Sequence, residues 1–208
     1  MSSAFDTSAC RVALLSGGTS GEREISIASG KGALAALKEA GFPVQCFDPA
    51  KKEDLKALID GDFDVAFLCL HGRKGEDGVI QGFLETIGLP YIGPGVWSSA
   101  TAISKDRSKE FYRLAGVPTA PSMTLESEKA YDIDSIVAQI GSHVVVKPAS
   151  EGSSIGVSIV EGRDNIEAAV EEAFRHDDVV VVEKFVAGRE FTVAVIGNDE
   201  PRALPIIE

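Results

Sequence analysis

Four short segments carry the residue types that chemistry needs. The first, Ser16-Gly17-Gly18-Thr19-Ser20-Gly21-Glu22-Arg23-Glu24, joins a glycine loop to paired acids. Glycines let a backbone approach a ligand closely, and free N–H groups at a helix start attract an anion. The spacing fits neither Gly-x-Gly-x-x-Gly nor Gly-x-x-x-x-Gly-Lys-Ser/Thr, which argues against a dinucleotide or Walker-type site. An equal alternative is a tight turn in which Glu22 and Glu24 complement the helix dipole.

The second segment, His71-Gly72-Arg73-Lys74-Gly75-Glu76-Asp77-Gly78, follows an apolar run. His71 could donate a hydrogen bond to a substrate carboxyl or be satisfied by local backbone. Glu76 and Asp77 have the chemistry of metal ligands, but their position before Gly78 predicts helix capping. In the third segment, Lys147 ends the apolar run Val144-Val145-Val146 and precedes Glu151-Gly152-Ser153-Ser154. A lysine there is costly to bury without an anion, and a Gly/Ser loop returning into a strand can fold its N–H groups around phosphate oxygens. This predicts a nucleotide flap; the alternative is a hairpin with a mobile tip and a solvated Lys147. In the fourth, Glu183 and Glu190 bracket a bend after Val179 to Val182. Backbone groups of Lys184 to Val186 could pair with an adenine edge and a carboxylate with ribose hydroxyls, or the segment could be an ordinary surface hairpin.

The elements that must position these segments follow from periodicity. Arg11 to Leu15, Val44 to Phe47 and Asp64 to Leu70 are predicted strands, the last buried on both faces, alternating with helices over Ile25 to Ala40, Lys51 to Ile59 and Gly78 to about Gly88. That alternation implies a parallel sheet with right-handed crossovers, with the first two segments beyond its carboxyl ends facing one crevice. Pro90 to Gly95 closes this unit. Lys105 to Ala115 is a predicted helix whose Ile103, Phe111 and Leu114 share a face. Val144 to Pro148, Gly156 to Val160, Val179 to Phe185 and Phe191 to Ile196 are predicted strands in two hairpin-like pairs, with a helix over Asn165 to Phe174. The expected architecture is α/β: a parallel-sheet unit over residues 1–95, an α+β unit with a largely antiparallel sheet over 96–186, and the beginning of a third over 187–208.

Composition narrows the function. The 208 residues are 44% hydrophobic and 25% charged, an ordinary globular balance without repeats or low-complexity tracts. Twenty Lys and Arg against 32 Asp and Glu leave a net charge of −12, which repels phosphate backbones, so neither nucleic acid nor an anionic membrane is an expected partner. Cys10, Cys46 and Cys69 are odd in number and far apart, as reduced cytosolic thiols would be. The opening Met1-Ser2-Ser3-Ala4-Phe5-Asp6 shows no leader, and no apolar run is long enough to cross a bilayer, so a cytoplasmic location is expected.

Taken in order, these motifs resemble the D-alanine:D-alanine ligase family of the ATP-grasp superfamily, from about Arg11 to Glu208. The resemblance implies a pre-ATP-grasp domain followed by an ATP-grasp domain, and a reaction in which ATP phosphorylates one D-alanine carboxylate before the amine of a second attacks, for peptidoglycan precursor synthesis. It implies that Glu22 holds the ammonium of the first D-alanine, with His71 in the same site. Lys105 and Lys147 would contact ATP phosphates, Ser153 would link the glycine loop to the substrate site, and Ser154 would sit beside the phosphates. Glu183 and Val186 would read adenine, and Glu190 would hold ribose. It also implies a homodimer. The family continues for roughly another hundred residues, a typical domain's worth, carrying the ligands of two Mg2+ ions. None follows Glu208, so the expectation is a truncated third domain, no metal ligand in this chain and little turnover by it alone. The competing readings are a non-catalytic nucleotide-binding or dimerising module, and another ATP-grasp carboxylate–amine ligase.

Overall fold

The computed structural model of the chain describes residues 6–208. Residues 1–5, on which most of the expectation of no leader rests, lie outside the described residues. The first sheet is parallel, with β1 (Val12–Leu15) between β2 (Val44–Phe47) and β3 (Val65–Leu68), and a short β4 (Tyr91–Ile92) beyond β3. Every residue of β1 is buried, which is why it is written without polar alternation. The crossover helices are α1 (Arg23–Glu39), α2 (Lys52–Asp60) and α3 (Val79–Thr86). Leu15, Phe47, Leu58 and Leu84 fill the core between layers. β4 lies within the Pro90 to Gly95 stretch expected to close the unit; its two residues are too few to show a period. Because β2 and β3 flank β1 on opposite sides, the loops after β1 and β3 border one crevice at their carboxyl ends.

Two helices, not one, lead out of this sheet: α4 (Val96–Ile103) and α5 (Lys105–Leu114). Ser104 is extended between them, and the Lys105 amide donates to Ala149 O at 2.9 Å instead of continuing the helix. The expected shared face of Ile103, Phe111 and Leu114 is therefore wrong. Ile103 belongs to α4, Leu114 is 84% exposed, and Phe111 packs edge-on against Trp97.

The second sheet is antiparallel and runs β5 (Ser122–Glu126), β8 (Val179–Lys184), β6 (His143–Pro148), β7 (Ser158–Glu161). Its core joins Val144, Val146, Val180 and Val182 to α6 (Ile133–Ile140) and α7 (Ile166–Phe174). Burying each such aliphatic side chain is worth about 1.5–3 kcal/mol, so these four valines hold β6 against β8 firmly. β6 and β7 form the expected hairpin. The second pair does not form: β8 lies between β5 and β6, while β9 (Val195–Ile196) pairs with β10 (Arg202–Ala203). The reason is competition, since β8 finds a five-residue register with β5 that leaves no free edge for the later segment. Among the described residues no helix is long and apolar enough to cross a membrane.

Candidate functional site

The glycine loop after β1 is a turn whose two glycine amides are already used. Gly17 and Gly18 N–H donate to Ser26 Oγ (2.8 Å) and Asp48 Oδ1 (2.9 Å). Arg23 grips Asp48 at 2.6 Å, and its hydrogen bond is the main reason the Asp48 carboxyl is held down at about 2. The Gly17 and Gly18 amides are therefore already spent on side chains of the fold. The loop's product is Glu22, at the cap position of α1 but making no side-chain cap bond.

Glu22 is 8% exposed and turns away from its own helix. Its Oε1 accepts the hydroxyl of Ser153, a contact across 131 positions of sequence. Two glycines make room for it: a Cβ would lie 2.6 Å from Glu22 Oε2 at Gly72 and 2.8 Å from it at Gly152. Gly72 follows His71, so the second motif packs its backbone against this carboxylate. Ser20 Oγ donates to His71 O at 2.7 Å, while His71 Nε2 meets Ser29 Oγ at 3.2 Å and Nδ1 stands 4.0 Å from Glu76. Of the expected capping pair, Asp77 accepts from the Val79 amide at the start of α3. Glu76 does not cap. It accepts from the Gly72 amide at 2.7 Å and ties the loop to itself.

Strand alternation sets the second half of the site. In β6, Val144, Val146 and Pro148 face the core, so Val145 and Lys147 face the other way. The register pairs Val145 with Glu183 and Lys147 with Val181, making Lys147 and Glu183 diagonal neighbours on one face. Lys147 Nζ is bonded to Glu183 Oε1. Lys109, from α5, donates to Glu183 Oε2 at 2.9 Å. Burial raises the Glu183 pKa, but the hydrogen bonds from Lys147 and Lys109 more than offset it, and the carboxyl ends below its usual range. The anion expected beside Lys147 is thus Glu183.

Lys105, Lys147, Ser153 and Ser154 line one cleft of about 400 Å³ with Val145 on its wall. Lys105 Nζ donates to Glu151 O (2.5 Å) and Ala149 O (3.2 Å); burial, with the Lys147 charge, lowers its pKa. Ser153 and Ser154 have φ of +47° and +60°, a region that costs a non-glycine residue on the order of 1–3 kcal/mol, so their neighbours must hold them there. One hold is Glu22. Another is Arg73, which reaches from the loop after β3 to Glu151 at 3.0 Å and Asp177 at 3.6 Å, while Asp177 accepts from the Ser150 amide at 2.7 Å.

Glu22, Ser153, Ser154, Lys105, Lys147 and Glu183 therefore form one connected neighbourhood, with His71 beside it. Val186 and Glu190 lie exposed on the segment after β8 and do not line the cleft. Lys109, Arg73 and Glu151 were not anticipated. The signal for Lys109 was its position four residues after Lys105, which places both on one face of α5. Arg73 and Glu151 had no local signal. Among the described residues, no group of three or more His, Cys, Asp or Glu gathers to hold a metal ion.

Comparison with known proteins gives a consistent result. The family models described as D-ala D-ala ligase N-terminus and C-terminus match residues 50–94 and 111–208. A D-alanine–D-alanine ligase of Syntrophobacter fumaroxidans is 47% identical over 204 residues, covering 98% of this chain and 66% of the relative. One from Halalkalibacterium halodurans is 44% identical over 199 residues, covering 95% and 65%. The crystal structure of the Bacillus anthracis ligase superposes with a TM-score of 0.85 at 36% identity, over 95% of this chain and 64% of the other. The Coxiella burnetii ligase structure gives 0.83 at 30%, over 93% and 69%. The chain spans about 65% of the length of the curated relatives it matches.

Proposed function

Because the chain belongs to the D-alanine–D-alanine ligase family, we propose that it serves the ATP-dependent joining of two D-alanines, a step of peptidoglycan precursor synthesis in the cytoplasm. The observation that carries this reading is the Glu22–Ser153 contact, which brings an acid of the parallel sheet to the serine loop bordering the lysine cleft.

Phosphoryl transfer to a carboxylate must overcome the repulsion between that carboxylate and a triphosphate, and must keep water from the acyl phosphate. Lys105 and Lys147 supply positive charge on one side of the cleft. Ser154, on the cleft wall, would stand beside the phosphates, and the 150–157 loop would help keep water from them. Glu22 is buried with a hydroxyl and, among the described residues, no cation as its partner. An uncompensated buried carboxylate is costly, so an arriving ammonium is well matched to it. Glu22 would hold the first D-alanine by its nitrogen, with His71 nearby for its carboxyl. Glu183 and Val186 would meet adenine and Glu190 the ribose. Bound Mg2+ would add charge on the phosphates; the described residues do not assemble a ligand set for it.

Calorimetry with a non-hydrolysable ATP analogue tests this reading. The 208-residue chain binds it, and Lys147→Ala weakens binding by at least about tenfold, equal to about 1.4 kcal/mol. Equal affinities for the two proteins would overturn the reading. Phosphate release with ATP, Mg2+ and D-alanine measures turnover; release well above background would contradict the low turnover expected from the sequence. A homodimer belongs to the same proposal, supported by exposed Trp97 (70%) and Leu114 on the α4–α5 pair; a monomer mass by light scattering would refute it.

A further inference from the structure

Lys109 is the buried cation of the site, 7% exposed, and each of its three N–H donors has an acceptor. These are Thr119 Oγ1 at 2.8 Å, Ala120 O at 3.0 Å and Glu183 Oε2 at 2.9 Å. An ammonium so satisfied is fixed in place. Lys147 differs: its side chain is 20% exposed, it lines the open cleft, and among the described residues its Nζ bonds to Glu183 Oε1 alone. Glu183 is shared between one fixed cation and one that can be released.

We propose that Lys109 is a positioning residue: by holding the far oxygen of Glu183 it lets Lys147 leave that carboxylate for the phosphates of a nucleotide. The inference rests on reading the cleft as a nucleotide site. If Lys147 were the sole partner of Glu183, its departure would strand a carboxylate in a half-buried place, at a cost that opposes binding. With Lys109 in place, Glu183 keeps a charged hydrogen bond from 2.9 Å away when Lys147 moves. Remove Lys109, and Lys147 becomes the only counter-charge and is held back. Lys109 therefore acts on nucleotide affinity through Glu183, without touching the ligand.

A double-mutant cycle on the 208-residue chain separates this from a structural role. Affinity for a non-hydrolysable ATP analogue is measured by calorimetry for the unsubstituted chain, Lys109→Met, Glu183→Gln and the double variant, with thermal melts to check folding. The expected result is a loss of about tenfold or more for Lys109→Met, shrinking below about threefold when Gln already occupies position 183, since a neutral amide no longer retains Lys147. Lys109→Arg, which keeps the charge, restores affinity to within about threefold. An undiminished loss in the Glu183→Gln background, or no loss at all, overturns the inference. Should Lys109→Met alone fail to fold, the double variant set against Glu183→Gln decides: equal affinity supports the inference and a further tenfold loss overturns it. Absence of binding by the unsubstituted chain would overturn the nucleotide reading and this inference together, whereas binding left unchanged in Lys109→Met overturns this inference alone.

Discussion

Glu22 and Glu183 are two acids held away from water by different sheets, and their partners differ in kind. Glu183, on the antiparallel sheet, meets two lysines. Glu22, at the carboxyl end of the parallel sheet, meets a serine hydroxyl. A carboxylate already answered by two cations organises its surroundings. One answered by a hydroxyl alone has charge left for a ligand. The difference predicts opposite responses to neutralisation. Glu183→Ala strands Lys109 and Lys147 together, and breaking a buried pair on one side costs about 3–5 kcal/mol. Glu22→Gln removes a buried charge without stranding another, so its stability change stays within about 1 kcal/mol in either direction. Urea unfolding of both variants makes the comparison; similar losses would erase the distinction between the two acids.

Ligand response sharpens the same contrast from the other side. D-alanine should raise the melting temperature of the unsubstituted chain and have a much smaller effect on Glu22→Gln, because the amide can accept a hydrogen bond from an ammonium but supplies no counter-charge. A ligand at 100 times its dissociation constant stabilises by about 2.7 kcal/mol, a shift that thermal melting resolves easily. If D-alanine stabilises Glu22→Gln as much as the parent, Glu22 is not its anchor.

The two regions also differ in how openly the sequence declares them. β1, β3, β6 and β8 contain short apolar runs, and burial on one or both faces leaves a pattern that the sequence reveals. Glu22, Lys147 and Ser153 were recognisable because each sits in a dense local motif. What stayed hidden depends on distance or brevity. Arg73 meets Glu151 and Asp177 only after both sheets have folded. β4 and β10 have two residues each, too few for alternation to show. α6 was missed although Asp132 caps it by accepting from the Asp134 and Ser135 amides, a signal that an acid before an apolar run provides. The expected second hairpin failed because local pattern says that a segment is a strand, not which strand it pairs with.

Arg73 gives a smaller test, since it joins the two regions without being buried. It is half exposed, so its ion pairs to Glu151 and Asp177 contribute about 0–1 kcal/mol to global stability. Their local effect is larger, because Glu151 begins the loop in which Ser153 and Ser154 are held at positive φ. Arg73→Gln should leave the urea midpoint nearly unchanged while cleavage of the 150–157 loop by a non-specific protease accelerates several-fold. Unchanged cleavage would mean that Glu22 and Lys105 suffice to hold the loop.

A further effect lies in acid, at Asp48, which shapes the glycine turn that delivers Glu22. Its folded pKa of about 2 lies below the ordinary 3.8, chiefly because Arg23 donates to it. A depressed carboxyl pKa stabilises the fold above the unfolded value and loses that contribution as pH falls through the folded one. The stability supplied by Asp48 should be complete above about pH 4 and decline towards pH 2. Asp48→Asn removes this dependence, so its stability difference from the parent chain should narrow across that interval when urea midpoints are measured in steps of pH. The analogous difference for Glu183→Gln should also narrow in acid, because Lys109 and Lys147 hold its pKa down as well. A difference for Asp48→Asn that stays constant from pH 5 to pH 2 would mean that Arg23 and the Gly18 amide hold the turn without needing a carboxylate charge.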